Sequence, residues 1–203
     1  MKLIETHQAP NPRRVRIFLA EKGIEVALEE MALTVENIRS EAFTALNPIQ
    51  RVPVLVLDDG TAISESVAIC RYFEELQPDP PLFGTGALGR AMVEMWTRRV
   101  EHYLLFHIAQ CFRHLHPAMV EREVPQVRDW GEANRPRALA QLKVMDDALA
   151  ESEFIAGDAY SIADITLLVA VDFMQRARID RPDGLSNLDR WYDMVQQRPS
   201  TAA

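Results

Sequence analysis

The sequence predicts an α+β chain in two parts, an α/β domain over residues 1–77 and an all-helical domain over residues 88–203, joined by a linker at 78–87. Three observations carry this. Short strand-like and helix-like segments alternate up to residue 76, the pattern of strands joined through helical crossovers. From residue 87 onward every long segment repeats with the 3.6-residue period, and no hairpin signal appears. Between the two, the stretch QPDPPLFGTG at 77–86 breaks all regular structure.

The first part reads element by element. Lys2 to Thr6 is a short strand. Pro10, Asn11 and Pro12 then make a turn that can cap a helix, whose stripe of Val15, Phe18, Leu19 and the Lys22 stem stops at Gly23. Glu25 to Met31 is a second strand, and residues 35–46 carry a weaker helical pattern closed by Asn47-Pro48. Val52 to Leu57 is β-prone, Asp58-Asp59-Gly60 is a tight hairpin turn, and Thr61 to Ile63 pairs back. Ser64 can cap a helix running through Val67, Ile69, Tyr72 and Phe73 to Leu76.

The second part is expected to hold helices at roughly 88–115, 131–151, 161–177 and 187–198, with Pro117 and Pro125 interrupting between the first two. The run Ser161 to Val171 is apolar nearly all round, which predicts a helix at the centre of a bundle. Ser161 and Asp164 have capping-box spacing, with Asp where Glu or Gln is usual.

Composition narrows the function. With 203 residues and 48% apolar content the chain can bury a proper core. A formal charge of -8 argues against a nucleic-acid partner, because phosphate binding needs a basic face that releases counterions. No apolar run is long enough to cross a bilayer, and the stretch before Arg13 has no apolar segment of signal-peptide length, so a cytoplasmic location is expected. Cys70 and Cys111 are far apart and lie in helical patterns, which fits buried small hydrophobes rather than a redox pair or a zinc site. His102, His107, His114 and His116 fit no compact metal-ligand set.

Two motifs flank the hairpin. Ser64-Glu65-Ser66 opens a helix, where backbone N–H groups, the Ser66 hydroxyl and the helix dipole suit a ligand carboxylate while Glu65 can face an amino group. Pro53 cannot donate to a sheet ladder, and a cis bond before it would turn the Val52 backbone toward a peptide-like ligand. Caps and edge prolines are each common alone. The pair, in this order, is specific.

At this point a resemblance is plain. NPIQRVPVL at 47–55, DDGT at 58–61 and SESVAI at 64–69 resemble the glutathione site of cytosolic glutathione transferases. PNPRRVRIFLAEKG at 10–23 looks like the first helix of bacterial members, and the segment from Ala156 to Ile165 looks like the family's cap in the helical domain. The similarity spans almost the whole chain. It implies a thioredoxin-like glutathione-binding domain followed by a helical second-substrate domain, glutathione as co-substrate with no bound cofactor or metal, and a homodimer. It further implies that Glu65 and Ser66 bind the γ-glutamyl end, that the Val52 backbone beside Pro53 pairs with the cysteinyl unit, and that Arg39 and Arg51 sit near the glycine carboxylate.

The sequence departs from the family at the sulfur. Conjugation needs a glutathione thiolate near neutral pH, because the thiolate is the nucleophile. Serine-type members place a hydroxyl in a Ser-Pro-Asn stretch before the first helix, and here Ala9-Pro10-Asn11 stands in that place. No tyrosine or cysteine is near. Three groups remain: the Asn11 amide with the backbone N–H groups of the helix start, the Thr6 hydroxyl, and His7. Asn11 is favoured, because an oriented donor and the helix dipole together favour an anion.

The second substrate is expected against Met92, Trp96, Arg99, Tyr103 and Phe106, near-helical positions that would offer an apolar, partly aromatic wall to a small hydrophobic electrophile. The same stripe also suits a bundle interior. The expected reaction is thiolate attack on an electrophilic carbon. The rivals are glutathione-dependent isomerisation, dehalogenation or peroxide reduction on the same fold, and a non-catalytic glutathione-binding or interaction module.

Overall fold

The computed structural model describes residues 1–203, which fall into two compact units: Met1–Pro81 with Ala202–Ala203, and Leu82–Thr201. The first unit runs β1 (Lys2–Glu5), α1 (Pro10–Lys22), β2 (Ala27–Glu30), α2 (Val35–Ile38), α3 (Glu41–Leu46), β3 (Val54–Val56), β4 (Ala62–Ser64) and α4 (Ser66–Leu76). Its strands form one mixed sheet in the order β2-β1-β3-β4. β1 and β2 are parallel, joined through α1, whereas β3 is antiparallel to both β1 and β4.

That register decides where the loops meet. Ile4 lies opposite Val54, and Val54 lies opposite Ser64. The end of β1, the start of β3 and the end of β4 therefore share one edge of the sheet. A cluster of Ile4, Phe43, Val52 and Val54 packs beneath that edge, with Ala9, Met31 and Leu46 against it.

Local chemistry explains the departures from the expected elements. The helix anticipated over 35–46 is two short ones, because Ser40 breaks in and accepts the Phe43 N–H as the cap of α3. The first turn of α1 begins at Pro10 with Ala9 as its cap, so Pro10, Asn11 and Pro12 lie within the helix rather than before it. Proline suits that position, since first-turn N–H groups have no intrahelical partner. Gly23 closes α1 at φ 64, a left-handed conformation that favours glycine.

Lys22 is buried whole, not only by its stem. Its ammonium meets the Glu74 carboxylate at 2.5 Å and donates to the Gln77 and Pro80 carbonyls at 2.8 and 2.5 Å, tying the end of α1 to the end of α4.

The second unit is helical throughout: α5 (Gly86–Arg99), α6 (Phe106–Leu115), α7 (Arg128–Leu149), α8 (Ile162–Arg176) and α9 (Ser186–Gln196). The single helix expected over 88–115 is instead α5 and α6 joined by a π-helical segment, Val100–Leu105. Almost every residue of α8 is buried, as its apolar circumference requires. The capping box at its start is formed: Ser161 accepts the Ala163 N–H at 3.3 Å, and the Asp164 carboxylate takes the Ser161 N–H at 3.0 Å. Asp164 also accepts from Ile155 N–H and from the Trp191 indole, which anchors α9. No helix is long and apolar enough to cross a membrane.

Candidate functional site

The junction of β4 and α4 is the first part of the site. Glu65 stands at φ 69 and ψ 113, a backbone region that a non-glycine residue adopts only at a cost. Its side chain is exposed and makes no cap bond, so the first N–H groups of α4 stay open to an anion. Ser66 is the first residue of the helix and is buried. Its Oγ accepts a hydrogen bond from Arg14 Nη1 at 2.9 Å.

The second part is the loop before β3. The Val52–Pro53 bond is cis, as the sequence suggests. The Val52 side chain sinks into the cluster with Phe43 and Val54, which leaves its backbone at the sheet edge outside any ladder. Asn47 holds this loop from below. It is buried, donating from Nδ2 to the Arg51 carbonyl at 2.8 Å and accepting the Ile49 N–H at 3.1 Å. Arg51 is exposed at the loop rim, with its guanidinium touching only the neighbouring Gln50 carbonyl at 3.3 Å. Arg39 is exposed at the end of α2.

The third part is the start of α1. Ala9 packs on the same cluster as Val52, which brings this turn to the shared sheet edge. Asn11 is exposed on the first turn, and its side chain makes no hydrogen bond within the chain; it is not the cap. Pro10 and Pro12 have no N–H, so the Asn11 backbone and side-chain amides are the polar donors left on that turn. Thr6 is differently placed. Its hydroxyl donates to the Met31 carbonyl, and a hydroxyl has one proton, so Thr6 has none for a sulfur. His7 is exposed, with its backbone N–H on the Glu30 carboxylate at 3.1 Å. Behind the turn, buried Arg16 pairs with buried Glu5 and donates to the His7 carbonyl at 2.8 Å. Burial pushes the Glu5 carboxyl up, against the pull of Arg16.

On the helical unit, Trp96 and Arg99 lie one turn apart on α5, the guanidinium 4.7 Å from the indole centroid. Tyr103 and Phe106 are exposed at 55% and 44%, so they are surface rather than bundle interior, while Met92 is half-buried. The histidines have separate tasks: His107 bonds Asn134 at 2.6 Å, His114 and His116 accept the N–H groups of Val127 and Ala118, and His102 is exposed. Cys70 and Cys111 are buried and form no disulfide, and burial raises the Cys111 thiol.

Arg14 and the supporting roles of Asn47 and Arg16 escape the sequence reading. One signal was available: Arg14 stands four residues before Phe18 on the stripe that α1 buries, and a charge on an apolar stripe requires a partner.

The first unit is thus a small mixed sheet with the β4–α4 junction, the loop before β3 and the start of α1 gathered at one side, and the second is helical throughout. Residues 9–76 match the family described as glutathione S-transferase, N-terminal domain, and residues 131–199 match its C-terminal domain. The chain is 36% identical to glutathione S-transferase 2 of Saccharomyces cerevisiae, over 98% of this chain and 87% of that one. The crystal structure of a glutathione S-transferase domain-containing protein of Marinobacter aquaeolei superposes with a TM-score of 0.95 at 36% identity, covering 99% of this chain and 100% of that one. Maleylacetoacetate isomerase of Rattus norvegicus is 31% identical over 82% of this chain and 74% of its own. The chain belongs to the glutathione S-transferase family of enzymes.

Proposed function

We propose that the chain binds reduced glutathione on its first unit and delivers the thiolate to a small hydrophobic electrophile, giving a thioether. The observation that carries this reading is the pairing, on one sheet edge, of an unladdered Val52 backbone with an uncapped helix start at Glu65 and Ser66. A γ-glutamyl peptide has the matching groups: an α-carboxylate for the α4 N–H groups and Ser66, an α-amine for Glu65, and a cysteinyl amide for Val52. Arg51, and with less to hold it Arg39, would meet the glycine carboxylate. Asn11 is the donor to the sulfur. Thr6, whose proton goes to Met31, does not take that role.

Trp96, Arg99 and Tyr103 form the wall for the electrophile in this reading. The similarity to an isomerase favours a second reaction on the same site, in which the thiolate adds to an activated double bond and later leaves. The enzyme is further proposed to act as a cytoplasmic homodimer, which sedimentation equilibrium would test by mass.

The deciding experiment is an ultraviolet difference titration with reduced glutathione from about pH 5 to 9, following thiolate absorbance at about 240 nm. A bound-thiol pKa well below the free value of about 8.5 upholds a thiolate-forming enzyme. Binding with an unshifted thiol would instead favour a glutathione-binding module, and no binding would sink the reading.

A further inference from the structure

Arg14 is 1% exposed, and a guanidinium is buried only where something specific uses it. It leaves α1 and reaches Ser66, a residue 52 positions later, at 2.9 Å. A guanidinium has donors and no acceptor, so in this bond Arg14 donates and Ser66 Oγ receives. A serine hydroxyl carries a single proton. With one lone pair held by a cation, the O–H bond is polarised and becomes a stronger donor. No other hydrogen bond ties that hydroxyl within the chain, and it stands at the α4 start, beside N–H groups that Glu65 leaves uncapped.

We propose that Arg14 is a positioning residue that acts through Ser66: it fixes Ser66 Oγ as a sharpened donor toward the ligand's α-carboxylate and so makes the site selective for γ-glutamyl peptides that carry one. Arg14 itself touches no ligand in this scheme. The inference rests on the glutathione reading and deepens it, by stating which part of the peptide is selected and how.

The test is calorimetric titration of the wild type, Arg14→Met, Arg14→Lys, Ser66→Ala and the Arg14→Met/Ser66→Ala double variant. Two peptides are used, reduced glutathione and γ-aminobutyryl-cysteinyl-glycine, which keeps the amine and lacks the α-carboxylate. Arg14→Met is expected to weaken glutathione binding by up to about 10-fold, as the Ser66 hydroxyl loses the partner that orients and polarises it toward the carboxylate. The double variant should bind no more weakly than Ser66→Ala alone, because in this scheme Arg14 reaches the ligand only through Ser66. Toward the peptide without the carboxylate, Arg14→Met and wild type should agree within about twofold, a readout that general damage to the fold would move.

Unchanged glutathione affinity in Arg14→Met overturns the proposal. So does an equal loss for both peptides, or additivity in the double variant. Should Arg14→Met fail to fold, Arg14→Lys decides: it keeps the charge without the planar fork, and must weaken glutathione selectively. If the wild type binds neither peptide, the glutathione reading falls first and this proposal with it; if it binds glutathione normally and Arg14→Lys shows no selectivity, only the proposal falls.

Discussion

Thr6 and Asn11 are, with His7, polar side chains that the chain offers near the start of α1 to a thiolate beside Val52. Geometry separates them: the Thr6 proton goes to the Met31 carbonyl, whereas the Asn11 amide is exposed and uncommitted. Asn11→Ala should therefore raise the bound-thiol pKa by about one unit, the value of one hydrogen bond to an anion. Thr6→Val, which keeps the shape, should leave that pKa where it is in the same ultraviolet titration. Asp164 supplies a second residue-scale test. Complete burial pushes its carboxyl up to about 6, ahead of the lowering effect of the donors from Ile155, Trp191 and Ser161. Its folded pKa thus lies above the unfolded 3.8, so the folded state holds the proton more tightly. The associated stability is present below the unfolded pKa and is lost as pH rises through about 6. The stability margin of wild type over Asp164→Asn should accordingly shrink by about 2–3 kcal/mol between pH 4 and 6.5, measured by denaturant unfolding.

Helix pairs carry the next set of consequences. α6 and α7 approach closely at Gly131, where an added Cβ would lie 2.7 Å from Leu115 Cγ and 2.8 Å from its Cδ2. Glycine to alanine in a helix normally gains about 1 kcal/mol, while overpacking costs about 1–3 kcal/mol. The clash is with the branch point of a packed side chain, so Gly131→Ala should lower stability by about 1 kcal/mol in urea unfolding despite the better helix former. Between α1 and α4 the buried Lys22 and Glu74 pair sets a larger stake. Lys22→Ala leaves a buried carboxylate and two carbonyls without their cation, and should cost about 3–5 kcal/mol. In a chain of this size that lowers the thermal midpoint by roughly 10 °C.

For the molecule as a whole, ligand linkage is the telling measurement. A ligand that binds only the folded protein stabilises it by about 2.7 kcal/mol at a hundredfold excess over Kd. Saturating reduced glutathione should raise the thermal midpoint by roughly 5–10 °C in scanning calorimetry. Hydrogen exchange should then report new protection at the Val52 and Ser66 amides of the first unit, whose N–H groups have no place in a ladder or a cap.

Much of this was legible in the residues alone. The alternation of strands and helices, the 3.6 period after residue 87, and the Val52-Pro53 and Glu65-Ser66 motifs are local patterns, and local patterns follow from side-chain periodicity and turn chemistry that one stretch of chain contains. The π segment within the α5–α6 run was not legible, since helical periodicity barely distinguishes one extra residue in a turn. Nor was the fate of single protons and charges. Whether Thr6 has a donor to spare depends on Met31, whether Lys22 is buried depends on Glu74 and Pro80, and whether Ser66 is steered depends on Arg14. Each partner lies 25 or more residues away, so only the folded chain, which brings distant groups within hydrogen-bond reach and out of water, could decide them.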